Sequence, residues 1–275
     1  MGPALKVEAC QVNDHCVGSR WEVLDDGYLA RIIAIIAMGQ AVHAAQIITD
    51  LSPAEPAIDV EALREDAKLR LSIKGDTPGA QDASRWHRDG LVFEAISWIA
   101  ARQLAKGEVL LKDPHISATT QGLDGLMIEL DEEGTAITRA TIFEDKCTGD
   151  PRGMFRDEVL PAFAKYHNNK RASDLVAAAA TLIAAKLSGT AATQAAARVL
   201  DLQYRAYRAG LTIESERDNE KGRAALFKGY EMLDKIADKQ RVGATLVTAG
   251  ELREWFDKLA EQAIAYLGAL TEESA

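Results

Sequence analysis

At 275 residues, 47% of them hydrophobic, the chain has material for one large or two smaller packed domains. Its 32 basic and 42 acidic side chains give a formal net charge of −10, which argues against a protein that coats nucleic acid through an overall basic surface. Cys10, Cys16 and Cys147 cannot all pair and match no zinc spacing, so a reducing cytoplasm is expected, and the N-terminus carries no secretion pattern.

Residues 1–24 contain Trp21 as their one large anchor and carry no functional signal. Asp25 and Asp26 then open a helix, since acids favour a first turn, and residues 28–37 are long and apolar. Arg31, Gln40, His43 and Gln46 interrupt that run, so it reads as a buried core helix rather than a membrane span, with His43 reaching a polar partner. Residues 52–56 form a loop and residues 58–73 an amphipathic surface helix. A linker over 75–80 closes an N-terminal helical region spanning 1–80.

The segment 86–90 leads into a helix on which Leu91, Ile96, Trp98 and Ile99 are the core candidates. His87 is read as its cap in preference to a phosphate contact. Glu94 shares a face with Trp98 at i+4, so it is shielded and needs a partner, either Arg88 or a metal-bound water. Residues 110–116 form a short strand interrupted by Asp113-Pro114.

Residues 121–130 and 137–146 are two runs rich in Leu, Ile, Thr and Phe flanking a polar turn with Gly134, the pattern of a β-hairpin. Alternation puts Glu144 and Lys146 on one face and Asp145 on the other. Pairing about the turn brings Asp124 within a residue or two of Glu144. Two carboxylates suit a hard divalent cation, which takes one or two protein carboxylates and leaves positions for water and phosphate. An ammonium beside them, Lys146, could orient the attacking water and stabilise transition-state charge.

The loop 147–153 leads to a helix starting at Met154, and Arg152 and Arg156 are candidate phosphate contacts, or else a solvated helix end paired with Asp157 or Glu158. Residues 139–171 hold seven basic side chains against five acids, so the working face can be positive although the total is acidic. From Ser173 onward, helices are expected over 174–187, 194–208, 216–239 and 249–270. Tyr204, Tyr207, Phe227, Tyr230, Trp255 and Phe256 are read as helix-packing core. No Gly-rich phosphate loop supports an ATP-driven activity.

Asp124, nineteen intervening residues, then Glu144-Asp145-Lys146 resembles the motif of the PD-(D/E)xK nuclease superfamily, with Glu94 standing where the superfamily carries a helical Glu and Leu123 replacing its Pro. The resemblance covers about residues 85–165. It implies an α/β, restriction-endonuclease-like core over 81–190, with a short mixed sheet flanked by helices, and helical additions over 1–80 and 191–275. It also implies a nuclease hydrolysing phosphodiester bonds in DNA with Mg²⁺ or Mn²⁺. Asp124, Glu144 and the Asp145 carbonyl would hold the metal, Lys146 would position water, and Glu94 would assist through a water or second metal. The segments around Glu94 and Glu144 are further similar to the nuclease subunit of Hachiman-type anti-phage systems, which implies a helicase partner. The reading from another class is a non-catalytic helical binding or scaffold protein.

Overall fold

A computed structural model describes residues 2–105, 107, 109–116, 122–248 and 250–273, without the side chains of 271–273. Gln121, the first residue of the expected hairpin, and Ala249, the first of the last expected helix, lie outside the described residues.

The chain opens with a hairpin, Leu5–Asn13 (β1) and Cys16–Val23 (β2), in which Leu5 and Trp21 turn inward while Lys6 and Glu8 face out. Asp25 caps the next helix, Asp26–Ala37 (α1), accepting from the Tyr28 amide at 2.9 Å, and Tyr28 through Ala37 is buried apart from Arg31, as the sequence indicated. Ala41–Asp50 (α2) and Glu61–Leu71 (α3) follow. His43 meets the Glu55 carbonyl at 2.8 Å, its expected polar partner. Thr77 caps Pro78–Leu104 (α4), whose second half, Leu91 to Ala101, is almost wholly buried. The expected linker is therefore partly helix, and His87 lies inside α4, exposed, rather than at its cap.

Three antiparallel strands come next: Val109–Leu111 (β3), Gly125–Leu130 (β4) and Ile137–Lys146 (β5). Asp150 caps Pro151–Met154 (α5), which runs through one π-helical turn, Phe155–Val159, into Leu160–His167 (α6). Ala172–Ile183 (α7) and Gly189–Ala197 (α8) lead to Arg205–Glu214 (β6). A short helix, Glu220–Leu226 (α9), connects to Arg241–Thr248 (β7), and Leu252–Glu273 (α10) closes the described chain.

Among the described residues the seven strands form one sheet in the order β1-β2-β7-β6-β5-β4-β3. β2, β7, β6 and β5 run parallel; β1 at one edge and the β4–β3 pair at the other run antiparallel to their neighbours. One face packs against α1, α2, α4 and α10, with Trp21, Phe93 and Phe143 at its centre. The other packs against α6, α7, α8 and the segment following α9, with Phe155, Phe163, Tyr207 and Tyr230. The α/β class is as expected, but the sheet is larger than a short one.

Two expected helices are corrected. Residues 205–208, placed in a helix over 194–208, belong to β6, and the helix over 216–239 is reduced to α9 and short 3₁₀ turns before β7. β6 is buried on both faces, so its side chains show no inside–outside alternation, and Arg205 and Arg208 break the apolar run that would otherwise mark an internal parallel strand. Residues 5–23, expected within a helical region, likewise supply two strands. Among the described residues no helix is long and apolar enough to cross a membrane.

Candidate active site

The β4–β5 register pairs Gly125 with Phe143, which brings Asp124, one residue earlier, beside Glu144. Alternation along β5 sends Phe143 and Asp145 toward α4, and Ile142, Glu144 and Lys146 toward the opposite layer. Lys146 Nζ donates to Asp124 Oδ2 at 2.8 Å and to Glu144 Oε2 at 3.2 Å. The Asp145 amide also donates to Asp124 Oδ2, at 2.9 Å, fixing that carboxylate to the strand end. Glu144 is only 7% exposed. Burial, with Asp124 adding to it, pushes its carboxyl up to about 7 against the pull of Lys146. Burial works to lower the Lys146 pKa, but Asp124 and Glu144 outweigh it and hold the ammonium above its ordinary value.

Asp145, on the opposite face, is anchored inside the protein. Ser97 Oγ of α4 donates to Asp145 Oδ2 at 2.5 Å, and Arg208 Nη2 of β6 lies 3.4 Å from the same oxygen and also donates to Ser97 Oγ. The Arg208 guanidinium sits 3.4 Å from the centre of the Phe143 ring and 5.3 Å from that of Trp21. Burial raises the Asp145 carboxyl to about 6, with Arg208 opposing. Gly210 lets Asp145 approach β6, since a Cβ there would stand 2.1 Å from Asp145 Oδ1. Glu144 and Lys146 thus project from a strand end pinned from behind.

Glu94 lies on α4, 13% exposed, as its shared face with Trp98 indicated. Its partner is neither Arg88, which pairs with Asp89 at 2.7 Å and with Asp257, nor any residue singled out from the sequence. Glu94 Oε1 accepts from the His115 amide at 2.8 Å, and Oε2 faces His115 Nδ1 at 3.2 Å. Lys112 Nζ is 3.0 Å from His115 Nε2. Burial lowers the Lys112 pKa, with the charges of Glu94, Asp124 and Asp113 opposing it. The signal for both residues was Pro114: β3 stops at Leu111, and a proline that cannot donate to the ladder turns the chain back toward α4.

Arg152 and Arg156 are not equivalent. Arg152 Nη1 donates to the Leu226 carbonyl at 2.9 Å and to the Lys228 carbonyl at 2.6 Å, so it ties α5 to the end of α9. Arg156 is 61% exposed and forks onto Asp157, with both bonds at 2.6 Å. A cleft of about 210 Å³ at the C-terminal ends of the parallel strands is lined by Thr148, Gly149, Thr212, Thr248 and Arg253. A cavity of about 310 Å³ lined by Arg139, Thr141 and Val242 opens near the other ends of the parallel strands, away from Lys146.

The donor set at the hairpin end fits a hard divalent cation. Asp124 and Glu144 each bring a carboxylate oxygen within about 3 Å of one cationic nitrogen, and the Asp145 carbonyl is the nearby neutral oxygen donor. Comparison with family models, curated proteins and solved structures returned no match to this chain.

Proposed function

We propose that this chain is a Mg²⁺- or Mn²⁺-dependent nuclease of restriction-endonuclease-like type, hydrolysing phosphodiester bonds in DNA and guided by a protein partner such as a helicase in bacterial anti-phage defence. The convergence of Asp124, Glu144 and Lys146 at one strand end carries this reading. The order of the core supports it: a Glu-bearing helix, three antiparallel strands, then helices and a strand parallel to the third. When bound, the metal supplies Lewis-acid polarisation of the phosphate and a more acidic water. Asp124, Glu144 and the Asp145 carbonyl would hold it. Lys146, at the same strand end, would orient the nucleophilic water and donate to charge developing on the phosphate. Asp145 and Arg208 keep the strand end from shifting while this happens. Arg156, paired only at the surface, is the residue on that side open to a phosphate.

Substitution of Lys146 by Ala is the test. Cleavage of plasmid DNA in Mg²⁺ or Mn²⁺ should fall by about 10² or more, with an unchanged circular dichroism spectrum. Parental cleavage by the variant would remove Lys146 from the chemistry. The same distances suit a structural ion triad in a non-catalytic scaffold protein; such a protein gains no thermal stability from Mg²⁺ or Mn²⁺, whereas binding to the native state raises the melting temperature by mass action.

A further inference from the structure

We propose that Lys112 is a second phosphate-contacting cation of this site, presented by His115, with Glu94 as the positioning carboxylate behind it. The inference rests on the nuclease reading above and deepens it. Glu94 accepts the His115 amide on Oε1 at 2.8 Å and has Oε1 and Oε2 at 3.1 and 3.2 Å from His115 Nδ1, so it acts through His115. A lysine ammonium only donates, so His115 Nε2, 3.0 Å from Lys112 Nζ, is the acceptor. Nδ1 is then the side of the ring that donates to the Glu94 carboxylate, which fixes one orientation of the imidazole.

A neutral acceptor aims an ammonium without cancelling its charge. Lys146 is matched by two carboxylates, whereas among the described residues Lys112 Nζ has no carboxylate at ion-pair distance. Lys112 is therefore the cation whose charge is open to an incoming anion. Its position is set by the backbone: the Lys112 amide donates to the Leu126 carbonyl at 2.8 Å, keeping it in register with β4 two residues from Asp124.

The test is the affinity of the full chain for a short DNA duplex in Ca²⁺, followed by fluorescence anisotropy over a series of KCl concentrations. Lys112→Met should weaken binding about tenfold and reduce the slope of log affinity against log salt by about one, and Lys112→Arg should restore most of both. His115→Ala should weaken binding by a smaller factor with the slope nearly kept, because the charge remains but is no longer aimed. If Lys112→Met binds with parental affinity and slope and only melts earlier, the trio merely tethers the segment after β3 to α4 and the proposal is overturned. A parent chain that does not bind the duplex overturns it too. Cleavage measured in parallel keeps the two readings apart: a parent that binds but does not cut in Mg²⁺ or Mn²⁺ refutes the nuclease reading, while the difference between parent and Lys112→Met decides the role of Lys112.

Discussion

Glu144 and Asp124 share the Lys146 ammonium, but their surroundings give the two carboxylates opposite effects on stability. Glu144 carries a raised pKa from burial first and Asp124 second, so folding disfavours its charged form. The unfolded chain titrates this group near 4.5 and the folded chain near 7. Its contribution is therefore full below about 4.5 and lost as pH rises through about 7. In chelator at pH 8, Glu144→Gln should stabilise the protein by about 1 to 3 kcal/mol, with no gain below pH 4.5. Asp124 accepts from both Lys146 and the Asp145 amide, and Asp124→Asn keeps an acceptor for the amide but loses the charge facing the lysine. That change should cost about 1 kcal/mol in chelator. Thermal melts of parent and both variants across pH check the pair. A Glu144→Gln protein that melts below the parent at pH 8 would show that Lys146 needs both charges. Either substitution should abolish a metal-induced rise in melting temperature.

Arg152 illustrates how an element's ends decide what a side chain is free to do. Because it donates to the carbonyl of Leu226, the last residue of α9, and to that of Lys228 just beyond it, Arg152→Ala leaves those carbonyls unpaired and should lower stability by about 1 to 3 kcal/mol. Arg156→Ala should stay within about 0.5 kcal/mol of the parent and appear only as a flatter salt dependence of DNA binding. Denaturant melts with a salt titration separate the two; equal stability losses would erase the distinction. In the sequence these arginines looked alike, since their spacing identifies a helix start but not the distant carbonyls that meet one of them. The β4–β5 hairpin was legible because it keeps the period-two pattern around a Gly134 turn, and with it came the Asp124, Glu144 and Lys146 cluster. β1 and β2 were legible in principle from the outward Lys6 and Glu8 and inward Leu5 and Trp21. β6 was not, since a strand buried on both faces that begins Arg205-Ala206-Tyr207-Arg208 mimics the tail of the Ala-rich helix before it. Lys112 and His115 escaped because Pro114 marks only where the strand stops, while the contact of the following segment with Glu94 is not encoded in local pattern.

At the scale of the whole molecule, the strand end bearing Glu144 and Lys146 is supported by residues far away in sequence. β6 pairs Glu144 with Ala209, Asp145 with Gly210 and Lys146 with Leu211, and β7 and β2 continue the sheet beyond it. Trp21 of β2 packs against Phe93 of α4 with ring centres 6.3 Å apart and lies beside Arg208, which partners the buried Asp145. α10 is fastened to α4 by Arg253, 2.5 Å from the buried Asp89, and by Asp257 on Arg88. Residues 81–190 alone would lack Arg208, leaving Asp145 without its counter-charge, and would expose β5 as an unpaired edge. Removing one partner of a buried ion pair costs about 3 to 5 kcal/mol, a large share of the roughly 5 to 15 kcal/mol that holds a typical domain folded. The fragment 81–190 should therefore give no cooperative thermal transition and no metal-dependent cleavage, while the full chain unfolds in one step. Arg208→Leu in the full chain isolates the ion-pair part of that cost and should lower stability by about 3 to 5 kcal/mol. A fragment that melts cooperatively, together with an Arg208→Leu chain as stable as the parent, would mean that the hairpin and its helices hold Glu144 and Lys146 in place without the strands that follow.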